Sequence, residues 1–281
     1  KGIGARILYR RWSILLPVYT FLAIFTKGAV GIMVPLMSIA VFLALNRKIK
    51  TIGKYIGWKF WGILAGLCAL WFTGVFLDGG TEYLNNLLFN QTINRAVNSF
   101  HHKEPFWYYF VTYWYAIAPW SIVTITAIFI GFHRRLINND LLRMFAVVSV
   151  GTIIMMSCIS SKIVVYLLPA FPCLVYLGAI LIGEIGKNKW LNASVAIPAV
   201  LFILLQGAAI YASKKGLVPI DLGTPIYYYT LILCAGGVAA LYHIWNNNLP
   251  KAITVTGISM FVLILAAGLS MDKLNDMVGL K

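Results

Sequence analysis

The chain has 281 residues, 60% hydrophobic and 11% charged, with a mean hydropathy of +0.84. No soluble domain of this length has such a composition, and a polytopic membrane protein does. The formal net charge of +15 is not a nucleic-acid footprint, because the lysines and arginines fall between apolar runs instead of forming one patch.

In lipid the backbone must satisfy its own hydrogen bonds, which leaves helices or a closed barrel. The apolar runs are about 17–23 residues long, the length of a spanning helix. They do not alternate over ten residues as barrel strands do. The fold class is therefore all-α and polytopic. Nine spans are predicted, at 12–26, 29–46, 56–77, 109–131, 142–159, 163–184, 190–211, 226–245 and 252–270. Cys68, Cys158, Cys173 and Cys234 all lie inside these runs and read as packing residues, with no disulfide framework or metal spacing. The chain opens at Lys1 without a signal peptide and is expected to be part of a longer protein.

Basic residues set the orientation. One set of connections carries 14 of them, from Lys1, Arg6, Arg10 and Arg11 to Lys251. The opposite set carries eight: Lys27, Arg95, Lys103, Lys162, Lys214, Lys215, Lys273 and Lys281. The positive-inside rule assigns the first set to the cytoplasm, and nine spans then alternate correctly. The site is expected on the extracytoplasmic side of the membrane.

The long outer connection, 78–107, reads as one amphipathic loop with interfacial helix sequence from Glu82 to Phe100. Loops longer than about 12–15 residues are usually functional or disordered. This one is too aromatic for disorder.

Lys27 and Lys162 stand at the outer ends of spans that read as short. From Trp12 to Thr26 and from Met144 to Ile159, a helix rises only about 22–24 Å. The hydrocarbon core is about 30 Å thick. Unless the helices extend into their basic flanks, both lysines end below the outer surface, where an ammonium is costly without a polar cavity or an anion. Snorkelling to the headgroups is the common fate of one such lysine. Two on one face, with Arg95 on the same side, suit a lipid phosphate, to which Ser161 and Tyr166 could add neutral donors.

In "HHKEPFWYYF", residues 101–110, an aromatic belt with Pro105 opening a helix explains Phe106 to Tyr109. It leaves His101, His102 and Glu104. A divalent metal on these three is the weaker reading, since adjacent histidines do not share a helix face. Polar contact with a sugar or headgroup is the stronger. "GILAG", 62–66, is at most a helix contact.

Three segments resemble bacterial GT-C-fold glycosyltransferases that use lipid-linked sugars. The first is "FTKGAVGIMVPLMSIAVFLAL", 25–45. The second is "FNQTINRAVNSFHHKEPFWYYFVTYWYAIAPW", 89–120. The third is "SSKIVVYLLPAFPCLVYLGA", 160–179. They resemble in particular the lipid A aminoarabinose transferases and the protein-mannosyltransferase-like enzymes. The resemblance implies a GT-C-like fold and transfer of a sugar from a polyprenyl-phosphate carrier to a lipid or protein acceptor. It implies that Lys162, Tyr166, Arg95 and Lys27 meet the carrier phosphate. Ser161, His102, Glu104, Trp107 and Gln91 would border the donor and acceptor cavity.

The sequence also departs from that pattern. Gln91 stands where relatives carry Glu, Ala96 where they carry Phe, and Val164 where they carry Pro. The family's amino-terminal acidic loop has no counterpart in residues 1–281, so the catalytic base is expected elsewhere, in an amino-terminal portion or a separate chain. A non-catalytic lipid-binding or scaffold subunit is the alternative. A transporter or flippase fits less well, since no internal repeat is visible.

Overall fold

The structure is a computed structural model that describes residues 3–85, 104–159, 162–217 and 220–269. Helices occupy the positions of all nine expected spans, and no strand occurs among the described residues. They are α1 Ile3–Lys27, α2 Ala29–Leu45, α3 Trp58–Asn85, α4 Tyr108–Ala116, α5 Ser121–His133, α6 Asp140–Ser157, α7 Ala170–Ile185, α8 Lys189–Lys214, α9 Ile220–Trp245 and α10 Leu249–Leu269. Short 3-10 turns cover Ile49–Lys54 and Val164–Leu167.

Five helices, α3, α6, α8, α9 and α10, are long and apolar enough to cross a membrane, and there are six if the bent pair α4 and α5 counts as one span. At 17 and 16 residues, α2 and α7 are shorter apolar helices. The expected nine spans are thus nine helical positions among the described residues, of which five, or six with the bent pair counted as one, meet the length and hydropathy of a crossing. The expected interfacial helix from Glu82 is seen only as the end of α3, which bends at Gly80 (φ 68°, ψ −172°), a conformation open to glycine. The rest of that loop up to residue 103 lies outside the described residues.

Two expectations need correction. The span 109–131 is not continuous: α4 ends at Ala116, and α5 starts at Ser121. Pro119 lacks an N–H for the helical ladder and disfavours a helical residue before it. The span 163–184 likewise starts late. Ile163 is extended (φ −137°, ψ 140°), residues 164–167 form the 3-10 turn, and α7 begins only after Pro169.

The chain divides into two compact units, 1–117 with 135–179, and 118–134 with 180–281. The first holds α1–α4, α6 and the start of α7. Here α1 and α2 form a hairpin joined by Gly28 alone, whose φ of 60° and ψ of −138° suit only glycine. The hairpin closes tightly, because a Cβ at Gly31 would collide with the backbone of Ala23 and Ile24. α3 packs on α1, and α2 packs on α6, where Gly151 lies under the Met37 side chain.

In the second unit α9 packs between α8 and α10 through Gly236 and Gly237. A Cβ on Gly236 would strike Ser259, and one on Gly237 would strike Ala199. Small residues let backbones approach where no hydrophobic drive separates helix from lipid. At Gly62 and Gly66 a Cβ would meet nothing closer than Trp58 at 4.0 Å, so "GILAG" is not a close helix contact.

Candidate functional site

The site is built within the first unit, on the amino-terminal end of α4, the carboxyl-terminal end of α6 and the segment that follows α6. Its floor is a cluster of three buried residues, Tyr109 of α4, Met156 of α6 and Leu167 of the 3-10 turn. Val30 of α2, Tyr108, Ile153, Met155, Ile159, Tyr166 and Phe171 pack around them. Burial of these side chains fixes where the polar segment above them must run.

That segment is held by its backbone. The Tyr109 hydroxyl donates to the carbonyl of Ile163 at 3.2 Å. The same carbonyl accepts the Tyr166 N–H at 3.0 Å, closing the 3-10 turn. Between these anchors and the end of α6 stands Lys162. It is 4% exposed, and its Nζ donates to the main-chain carbonyl of Glu104 at 2.9 Å. A buried ammonium loses its hydration and is normally offset by a carboxylate. Here the described partner is a neutral carbonyl, which leaves the positive charge itself uncompensated by that contact.

The other sequence-derived residues divide. Tyr166 lies within the 3-10 turn, four residues after Lys162 in sequence, half-buried against the cluster. Lys27 is the last residue of α1 and is exposed. Its short-span argument fails because α1 runs back through Arg10 and Arg11 to Ile3, giving 25 residues, or about 37 Å. Arginine is a good helix former, so nothing stops the helix at Trp12. Val30, three residues past Lys27, still reaches the floor cluster.

Glu104 takes part through its main chain, with its side chain turned to the exterior. Trp107 is 63% exposed at the start of α4. Arg95, Gln91, His101, His102 and Ser161 lie outside the described residues. Among the described residues there is no group of three or more metal-ligating side chains.

Sequence reasoning missed Tyr109, which is fully buried. It sits in a run of five aromatics, 106–110, that the belt reading explains equally well, and only its pairing with Ile163 sets it apart. Met156, 1% exposed in the same cluster, is a packing residue.

These helices make the chain an all-α, polytopic integral membrane protein. Its fold matches that of about half of the protein ArnT. The crystal structure of ArnT from Cupriavidus metallidurans bound to undecaprenyl phosphate superposes with a TM-score of 0.74 at 15% identity, over 95% of this chain and 48% of that one. The same protein in the apo state matches with a TM-score of 0.61 at 18% identity, over 92% of this chain and 47% of that one.

In sequence, the chain is 28% identical over 182 residues to an undecaprenyl phosphate-alpha-4-amino-4-deoxy-L-arabinose arabinosyl transferase of Aeromonas hydrophila subsp. hydrophila. That match covers 59% of this chain and 32% of the relative. A transferase of the same name from Shewanella sediminis is 24% identical over 231 residues, covering 79% of this chain and 40% of the relative. The chain therefore spans about a third of the length of such relatives and about half of the solved structure. No protein-family model matches it.

Proposed function

We propose that this chain is the carrier-phosphate half of an integral-membrane glycosyltransferase that uses an undecaprenyl-phosphate sugar on the extracytoplasmic face. The observation that carries the reading is Lys162, an ammonium 4% exposed whose described partner is a neutral carbonyl. A phosphate monoester or diester is the anion that such a charge best complements. The similarity to aminoarabinose transferases supports an aminopentose as the sugar.

In the proposed reaction the acceptor oxygen attacks the anomeric carbon, and the bond from that carbon to the phosphate oxygen breaks with inversion. Negative charge grows on the departing phosphate. Lys162, fixed beforehand by Tyr109, Ile163 and Glu104, stabilises that charge without reorganisation. The Tyr166 hydroxyl and Arg95 would add donors, and Lys27 a more distant charge. The carboxylate that takes the acceptor proton is expected outside residues 1–281. Lipid A, or another lipid or protein acceptor, would receive the sugar.

The test is binding of undecaprenyl phosphate to the purified protein, read by native mass spectrometry in detergent. Wild-type protein is expected to retain the lipid, and the Lys162→Ala, Arg95→Ala double variant to lose it. Full retention by the double variant would remove these residues from the site. Binding without sugar transfer, in membranes that hold any further chain the enzyme needs, would favour the lipid-binding subunit.

A further inference from the structure

The second concentration of charge lies at the opposite ends of α1, α2 and α3, far from anything the proposed reaction uses. It centres on "NRKIKTIGKYIGWK", residues 46–59. Arg47, Lys48, Lys50, Lys54 and Lys59 are all exposed in this segment. Exposed apolar side chains are interleaved with them: Ile49 and Tyr55 at 45% and 46%, and Trp58 at 82%. By equal helical rise about Gly28, Arg10 and Arg11 lie level with Asn46 in the hairpin, and both are exposed. No aspartate or glutamate occurs before Asp78. The nearest acid on a packed element is Asp140, three residues before Arg143 at the start of α6.

The backbone supplies an independent observation. Three helices end in the same hydrogen-bonded cap, in which two successive N–H groups reach back to carbonyls of the last turn. After α2, Arg47 N bonds Ala44 O at 3.0 Å and Lys48 N bonds Leu43 O at 2.7 Å. After α8, Gly216 N bonds Ser213 O and Leu217 N bonds Ala212 O. After α9, Asn247 N bonds Ile244 O and Asn248 N bonds His243 O. This cap needs one residue in the left-handed region, a place normally filled by glycine or asparagine.

Two of the three caps use those residues, Gly216 (φ 66°) and Asn247 (φ 54°). The third uses Arg47 at φ 55°, where a Cβ is strained. The cap is held firmly, because Asn46 beside it accepts from Arg143 Nη1 at 2.8 Å and donates to Phe42 O. Strain kept at a surface arginine within an acid-free cationic segment points to function.

We propose that residues 46–59, with Arg10 and Arg11, form a binding site for the phosphate headgroups of anionic phospholipids. Guanidinium and ammonium groups would take the phosphates, while Ile49, Tyr55 and Trp58 enter the interface between headgroup and acyl chain. Each basic residue near an anionic membrane surface adds to the attraction, and aromatic residues anchor at that depth. The rigid Arg47 cap fixes where the first charge meets the headgroup.

The test is thermal unfolding of the purified protein in a neutral detergent, followed by tryptophan fluorescence, with short-chain phosphatidylglycerol, phosphatidylcholine or inorganic phosphate added. Phosphatidylglycerol is expected to raise Tm, and the other two are not. Arg47→Gly relieves the strained cap, so it should unfold no earlier than wild type without lipid yet respond less to phosphatidylglycerol. The triple variant Arg47→Gly, Lys48→Gln, Lys50→Gln should bind that lipid roughly tenfold or more weakly, from the loss of three surface charges. Lys214→Gln with Lys215→Gln, beside the glycine cap, should respond like wild type. Lys162→Ala should also keep the phosphatidylglycerol response, which separates this site from the carrier-phosphate site.

Equal responses to phosphatidylcholine and phosphatidylglycerol would overturn the proposal. So would a full response to inorganic phosphate alone, or an undiminished response in the triple variant.

Discussion

Lys27 and Lys162 look alike in the sequence and differ in the fold. Both follow apolar stretches that read as too short to reach the outer surface. α1 lengthens at its basic end, so Lys27 finishes exposed at the tip of a hairpin. α6 spans Asp140–Ser157, 18 residues or about 27 Å, and Lys162 lies beyond it under 4% exposure. The shortness of a span thus says little until the helix start is known. An arginine pair can be swallowed by a helix, whereas Asn139 caps α6 by accepting the Leu142 N–H and fixes its start. The two lysines should therefore respond very differently to removal.

The largest effect is expected at Lys162. Lys162→Met keeps the apolar stem and removes the buried charge. Undecaprenyl phosphate binding should fall by about a hundredfold, or about 2.8 kcal/mol. Stability should stay near wild type, because the desolvation of the ammonium is removed together with its hydrogen bond. Native mass spectrometry and thermal unfolding on the same preparation check both halves. A large loss of stability with binding intact would make Lys162 a structural residue, and the contrast with Lys27 would fail.

Next comes Gly28, which makes the hairpin that exposes Lys27. At φ 60° and ψ −138° any Cβ is strained, although no atom stands within 4 Å of it. Gly28→Ala should cost about 1–3 kcal/mol of stability, measured by thermal unfolding. Binding of the carrier should change little, since Lys162 is held by the Glu104 carbonyl and its segment by Tyr109 of α4 instead. A comparable loss of binding would tie the hairpin to the phosphate site more closely than the contrast allows.

Tyr109→Phe should have a smaller effect, about 1 kcal/mol, the usual net worth of one hydrogen bond. The Ile163 carbonyl keeps its bond from Tyr166 N–H, so it is not left unpaired. Loosening the segment next to Lys162 should weaken undecaprenyl phosphate binding severalfold. Unchanged binding would mean that Glu104 alone positions the lysine.

Much of the fold was legible because spanning helices are written in hydropathy. The nine positions came from apolar runs, and each holds helical residues. Two breaks were invisible for the same reason: apolar composition continues through Ile117–Trp120 and through Ile163–Leu168 while the backbone leaves the helix. Pro119 and Pro169 were the available signals. At the site, Lys162 was legible because a cation in an apolar setting stands out. Its partner was not, since the Glu104 carbonyl is main chain and any residue type would supply it. The segment holding Arg95, His102 and Gln91 carries the strongest motif, and its geometry falls outside the described residues.

The smallest expected effect closes the comparison. Lys27→Ala removes an exposed ammonium at a helix end, where the charge is already solvated or near headgroups. Screened at that exposure, it should contribute under about 1 kcal/mol to a bound phosphate. Carrier binding should fall less than about threefold, and that loss should shrink further at high salt. The Lys162→Met loss should persist in salt, because a buried pair is screened far less. Titration of both variants at low and high ionic strength separates the two cases. A large, salt-resistant loss at Lys27 would mean that the carrier draws this side chain inward on binding. The "TKG" turn would then belong to the site as fully as Lys162 does.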